Sequence, residues 1–190
     1  RHAKKKGFKN ILILEDHFIF SEKILNQTII NSINNFINNK QGIFSYLIGT
    51  VPHLKSPNII SDHANLILST GMHATIYSSD MIDYVLNNTK DFVSYNDWDL
   101  YNNSIFMGYR YTYKTPLCYQ IFSQTENSFE WNNTLYGSDL MKMWFRILGI
   151  NKKIEPGTSI AYILSSVIFI IMLIYILICI NKILSKIKYT

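Results

Sequence analysis

An α/β domain followed by one membrane-spanning helix is the architecture this sequence predicts, and two observations carry it. Over residues 1–157, short apolar runs alternate with stretches of helical periodicity, the pattern of strands and helices packed in layers. Beyond them, Ile160 to Ile180 runs without a single charge. Composition agrees with both. The 190 residues suit one domain at roughly 100–200 residues each. A chain 48% hydrophobic and 16% charged is excluded from the disordered, solvating class. Two cysteines, Cys118 and Cys179, exclude a disulfide-stapled scaffold and a four-cysteine zinc site. Arg1 in place of Met leads to the expectation that the chain is a processed or truncated segment. The 31 Ile and 19 Asn are read as coding bias, so Asn alone carries no structural weight.

The elements follow in order. Asn10 introduces Ile11–Leu12–Ile13–Leu14, a continuous apolar run closed by Glu15–Asp16, which predicts a buried parallel strand with both faces covered. Ser21 is placed to cap a helix through Asn38, with Ile24, Leu25, Ile29, Ile33, Phe36 and Ile37 near helical spacing. Gly42 opens a second strand, Ile43 to Ile48. The turn formers between Pro52 and Asp62 predict a loop. A strand over Met72 to Tyr77 and a helix over Ser79 to Leu86 come next. Ile105 to Tyr113 alternates loosely, as a strand does. Ser138 to Leu148 is the last helix of the domain, and Gly149 is placed to end it.

As a helix, Ile160–Ile180 extends about 32 Å at 1.5 Å per residue, close to the ~30 Å hydrocarbon core of a bilayer. Ser165 and Ser166 are its only clearly polar residues, and serine hydroxyls bond back to the helix's own carbonyls. Tyr162 sits at an interfacial position. The predicted organisation is a domain over 1–157, a transmembrane helix over 158–181 and a basic tail over 182–190. This describes a single-pass membrane protein with a C-terminal anchor. Lys182, Lys186 and Lys188 on one side balance Lys142, Arg146, Lys152 and Lys153 on the other, so charge does not set orientation. Four Asn-x-Ser/Thr sequons begin at Asn26, Asn87, Asn102 and Asn132, close to the number chance supplies. The net charge of +5 is explained by solvated lysines. Lys4–Lys5–Lys6 is the only dense run away from the span, and it lacks any nucleic-acid motif, so no nucleic-acid partner is expected.

Two acidic groups stand out. Glu15–Asp16–His17 directly follows an apolar strand, where loops at the carboxyl ends of α/β sheets present polar groups to ligands. Carboxylates there suit a hard divalent cation, Mn²⁺ or Mg²⁺, which takes oxygen ligands and bridges them to a diphosphate. Asp97–Trp98–Asp99 sets two more carboxylates around an aromatic. Each group is equally readable as a solvated or capping pair.

The order of segments is more specific. Ile11–Leu12–Ile13–Leu14–Glu15–Asp16 resembles the strand-plus-acid motif of glycosyltransferase family 25, which contains lipooligosaccharide and collagen galactosyltransferases. Gly71–Met72–His73–Ala74–Thr75–Ile76–Tyr77–Ser78 resembles that family's Gly-x-His-Ala strand, and Asp97–Trp98–Asp99 stands at its following acidic position. Tyr113–Lys114–Thr115–Pro116–Leu117 resembles its proline turn, and Ser123–Gln124–Thr125–Glu126–Asn127–Ser128 with Trp131 resembles its closing segment. The matches cover roughly residues 7–135. The resemblance implies a partial GT-A-like, nucleotide-sugar-binding sheet with flanking helices, lacking its N-terminal strand. It implies transfer of a hexose, galactose or glucose, from a nucleotide diphosphate sugar to a hydroxyl of a protein or glycan acceptor, assisted by Mn²⁺ or Mg²⁺. Asp16 would contact the metal, with Glu15 and His17 in support. Asp97 or Asp99 would act as base, and His73 and Glu126 would contact donor or acceptor. His17 and Gln124 depart from positions that are acidic in the family, and an alternative is a catalytically degenerate, membrane-anchored binding or scaffold protein. Without the family's first strand, the sheet should expose an edge.

Overall fold

The computed structural model describes residues 1–16, 18–58, 60–88, 102–103, 108–120 and 138–188. Among these, six strands form one mixed sheet: β1 (Asn10–Leu14), β2 (Phe18–Phe20), β3 (Ser45–Ser56), β4 (His63–Ser78), β5 (Arg110–Tyr113) and β6 (Cys118–Gln120). Their order is β1-β4-β5-β3-β6-β2, with β3 and β4 also paired directly. Five helices accompany the sheet in the described residues: α1 (His2–Lys6), α2 (Gln27–Asn39), α3 (Ser79–Asn88), α4 (Ser138–Leu148) and α5 (Gly157–Lys188). The architecture is α/β with a long apolar C-terminal helix.

A long antiparallel hairpin, β3 with β4, is the frame. It runs from Ser45 opposite Tyr77 to Ser56 opposite Asn65, with register shifts around Gly49, Val51 and Leu54. Strand β5 pairs in parallel with Ser45–Leu47 and, on its other edge, antiparallel with His63–Asn65. One short strand therefore joins the open end of the hairpin, at Ser45–Leu47, to its turn end, at His63–Asn65.

Both faces of β3 are covered. Tyr46 and Ile48 face a cluster with Ile33 and Ile37 of α2, together with Phe44, Ala74 and Leu117. Leu47 turns the other way, to Leu66, Met72, Tyr77 and Met81 of α3. Further along, Val51 packs with Phe145 and Leu148 of α4, Ile150, and Ala161 of α5. The alternation of the strand thus delivers successive side chains to opposite helical layers. At about 1.5–3 kcal/mol for each fully buried large aliphatic side chain, these three clusters dominate the stability of the domain.

Several expectations need correcting. The Ile11–Leu14 run is an antiparallel edge strand, paired with β4 from Asn10 opposite Ser78 to Leu14 opposite Ala74. It is not covered on both faces: Leu12, Ile13 and Leu14 are 47%, 48% and 39% exposed. An apolar run signals a strand, but it carries no information about the direction of its neighbour. The predicted helix from Ser21 divides at Asn26. A short 3₁₀ turn, Glu22–Leu25, is capped by Ser21, and α2 begins anew with the Asn26 side chain accepting from the Thr28 N–H at 2.9 Å. Two side-chain caps five residues apart make two short elements out of one periodic stretch. The predicted Pro52–Asp62 loop is strand up to Ser56. Pro52 lies opposite Ser69 beside a register shift, where a missing donor is tolerated.

Three expectations hold closely. Helix α3 begins at Ser79, and α4 spans Ser138–Leu148. Gly149, at φ 69°, ends α4 in the left-handed conformation, with the Ile150 N–H returning to the Phe145 carbonyl at 3.0 Å. Helix α5 contains one stretch, Gly157–Ile187, that is long and apolar enough to cross a membrane. Its first turns are held by the domain through buried Thr158, Ala161, Tyr162 and Ser165, whereas Val167 onward is largely exposed. Of the sequons, Asn102 is fully buried.

Candidate functional site

The carboxyl end of β1 is where the sequence places its first acidic group. Glu15 leaves the strand half-buried and Asp16 is exposed. The Glu15 N–H donates to the His73 carbonyl at 3.0 Å, extending the β1–β4 ladder by one residue. The strand-plus-acid segment and the Gly-x-His-Ala segment are therefore direct neighbours, although 58 positions separate Glu15 from His73.

The third segment arrives from the other side. After the Pro116 turn, β6 pairs in parallel with β3 at Gly49 opposite Cys118, and antiparallel with β2 from Phe18 opposite Gln120 to Phe20 opposite Cys118. The Ser21 N–H donates to the Leu117 carbonyl at 2.9 Å. Burial, with a smaller contribution from the nearby Glu15 carboxylate, pushes the Cys118 thiol up to about 11. That thiol is a neutral packing group, not a nucleophile.

His73 is enclosed where these segments meet. It is 1% exposed, and its side chain is hydrogen-bonded with that of Gln120. Desolvation pulls its pKa down to about 3, so the imidazole is neutral at physiological pH. Two glycines make room for it. A Cβ on Gly49 would stand 2.8 Å from the ring, and one on Gly71 would stand 2.5 Å away, with Gly71 also at φ +71°. His73 supports the ends of β1 and β6 from inside the sheet.

Asp97, Asp99, Glu126 and His17 lie outside the described residues. From the predicted set the structure sets Glu15 beside His73 through a backbone bond, with Asp16 next in the chain and exposed. Among the described residues, no group of three or more His, Cys, Asp or Glu is placed to hold a metal ion. Glu15 and Asp16 have the right donor chemistry for Mn²⁺ or Mg²⁺, two adjacent carboxylates. Such an ion takes the rest of its shell from water, from a diphosphate or from further residues.

A second polar cluster was not singled out from the sequence. His63, at the start of β4, is hydrogen-bonded at Nδ1 with the Tyr46 hydroxyl at 2.8 Å and at Nε2 with the Ser32 hydroxyl at 3.2 Å. Phe36 lies against its ring at 4.4 Å between centroids. Beside it, Asp62 accepts from Lys114 Nζ at 2.6 Å and from the Tyr113 hydroxyl at 3.2 Å. The Lys114 contact, as the main cause, holds the Asp62 carboxyl below its ordinary value. An open groove of about 620 Å³, lined by Ser32, Phe36, Lys40, Asp62 and His63, runs along this cluster. The Asp62–His63 pair was the available signal, but its partners come from α2, β3 and β5, and no spacing rule links them.

Strand β6 also joins this region to helix α5. The Tyr119 hydroxyl donates to Glu155 Oε1 at 2.6 Å. Glu155 in turn caps α5, accepting from the Ser159 N–H at 3.2 Å and from the Ser159 hydroxyl at 2.8 Å. A carboxylate there also complements the positive end of the helix dipole.

Comparison with protein-family models finds no match for this chain, and comparison with curated proteins finds none. The resemblance to glycosyltransferase family 25 therefore rests on the residues themselves.

Proposed function

We propose that the chain is a membrane-anchored, metal-dependent glycosyltransferase domain of the family-25 type. It would move galactose or glucose from a nucleotide diphosphate sugar to a hydroxyl of a protein or glycan acceptor, on a GT-A-like sheet. One observation carries the reading. Three of the segments that resemble the family's motifs, far apart in sequence, adjoin one another: β1 with its acids, the Gly-x-His-Ala part of β4, and the strand after the proline turn.

In this reading Asp16 binds the metal, with Glu15 and His17 beside it. A divalent ion held there neutralises charge on a departing diphosphate. Glu15 is fixed by its backbone bond to His73, so its carboxylate is presented from a rigid strand end rather than a free loop. Asp97 or Asp99 is proposed to take the acceptor's proton, and Glu126 to contact donor or acceptor. His73, being enclosed, holds the strand ends.

Binding of Mn²⁺ tests the reading directly. Paramagnetic resonance of the free ion, titrated with the full chain and a nucleotide diphosphate, should show a site that Asp16→Ala weakens by about tenfold or more. His17→Asp, which restores an acid, should tighten it. Equal Mn²⁺ uptake by wild type and Asp16→Ala would overturn the assignment.

A second reading, a degenerate glycosyltransferase-like module that binds or scaffolds a partner at a membrane, is favoured by one feature. His17 and Gln124 stand at positions that are acidic in the family, so the acidic group after β1 carries two carboxylates instead of three. No gain in Mn²⁺ affinity from His17→Asp would favour it.

A further inference from the structure

A cavity of about 300 Å³ opens where the end of β3 meets α5, with Lys55 and Lys114 on one wall and Ile163, Val167 and Ile170 of α5 on the other. We propose that it holds the phosphate of an anionic membrane lipid, with Lys55 as the principal cation and the acyl chains lying along α5.

Lys55 is unusual in its surroundings. It is 4% exposed, its Nζ donates to the Lys114 carbonyl at 3.2 Å, and it stands 4.9 Å from the centre of the Tyr162 ring. Among the described residues no carboxylate pairs with it. A buried ammonium in that state carries a desolvation cost with only a carbonyl and an aromatic face to offset it. Burial accordingly pulls its pKa down to about 8. An entering phosphate supplies the missing anion, and hydrogen bonds between ionised partners are about twice as strong as neutral ones.

The remaining groups fit the same ligand. Lys114 brings a second cation, oriented by its 2.6 Å bridge to Asp62. His63 also lines the cavity, with its ring nitrogens already hydrogen-bonded to Tyr46 and Ser32, so the charge at the site comes from the lysines. The opposite wall, with Ile163, Val167 and Ile170 beside Ser166, is mostly apolar and belongs to the helix read as the membrane span, with Ile163 64% exposed. A cation buried at the foot of an exposed apolar helix suits an amphiphile, whose phosphate and hydrocarbon separate in the same way. A freely soluble anion has no use for that wall. The inference rests on the membrane reading of α5, and not on the glycosyltransferase assignment.

The test uses the full chain in mild detergent. Native mass spectrometry would compare retention of phosphatidic acid, phosphatidylcholine of the same chain length, and inorganic phosphate. Phosphatidic acid should be retained about tenfold more tightly than phosphatidylcholine, the worth of one charge-assisted bond, and inorganic phosphate should not displace it. Lys55→Met keeps the packed stem and removes the charge, so it should abolish that preference. A double change in the tail, Lys182→Met with Lys186→Met, should leave it intact. Lys114→Met should reduce the preference less, and provides the answer if Lys55→Met fails to fold. Equal retention of phosphatidic acid by wild type and both cavity variants would overturn the proposal. Full displacement by inorganic phosphate would identify a free-anion site instead, which also overturns it. Alkaline carbonate extraction separates the two levels. Release of the chain from membranes removes the membrane reading, whereas a retained chain with no lipid preference removes the lipid site alone.

Discussion

His73 shows how far a single residue's role depends on its surroundings. In the sequence it stands in a strand motif and invites a ligand-binding role; in the fold it is neutral, enclosed and supported by Gly49 and Gly71. Its pKa falls to about 3, and desolvation takes His53 to about 4. The consequence for stability has a definite sign. Unfolded histidine takes up a proton near pH 6.5, while these two resist it, so stability is full above that pH and declines as pH falls. The loss is up to about 1.4 kcal/mol per pH unit for each histidine. It continues to about pH 4 for His53 and about pH 3 for His73. Urea unfolding of the detergent-solubilised chain should show a loss of about 3 kcal/mol between pH 6.5 and 5 from the two together. His73→Gln should remove about half of that slope. A slope unchanged by that substitution would mean the ring titrates freely. Burial of this kind was not legible in the sequence, because it depends on two glycines, at 49 and 71, whose lack of a side chain matters only once β3, β4 and β6 are assembled.

At the scale of elements, local chemistry was legible and pairing was not. Ser79 opening α3, the periodic α4 and Gly149 ending it all express short-range rules, and each stands where sequence reasoning puts it. Strand direction depends on partners: among the described residues Ile11–Leu14 pairs with β4 alone, antiparallel, and it lacks the expected burial. Pro52 read as a loop former because its tolerance by a register shift in β3 depends on the facing residues of β4. The junction between α4 and α5 shows the same dependence. Glu155 binds Tyr119 of β6 and caps α5 at once, so Glu155→Ala should cost about 1–3 kcal/mol. Thermal unfolding read by near-ultraviolet circular dichroism checks this. Glu155→Gln, which retains an acceptor oxygen for both contacts, should recover part of the loss. Equal melting of all three proteins would show that β6 and α5 are not coupled through this residue.

For the whole molecule, the long apolar helix is the part read most directly, since length and lack of charge suffice to recognise it. Its docking on β3, through Ala161 and Val51, was not visible, because a helix apolar on all sides gives no sign of which face is buried. Of the candidate site, the sequence order of the motifs was legible, whereas the convergence of β1, β4 and β6 needed the sheet. The polar cluster around His63 escaped for the same reason. What unites these features is a sheet whose β6 strand is tied, through Tyr119 and Glu155, to the start of the long apolar helix α5. The decisive measurement is release of the nucleotide diphosphate from uridine-diphosphate galactose or glucose by the membrane-reconstituted chain, with and without Mn²⁺. The account predicts turnover that requires Mn²⁺ and falls about 100-fold or more in Asp16→Ala. Turnover unaffected by that substitution, or none from either donor with Mn²⁺ present, would contradict it.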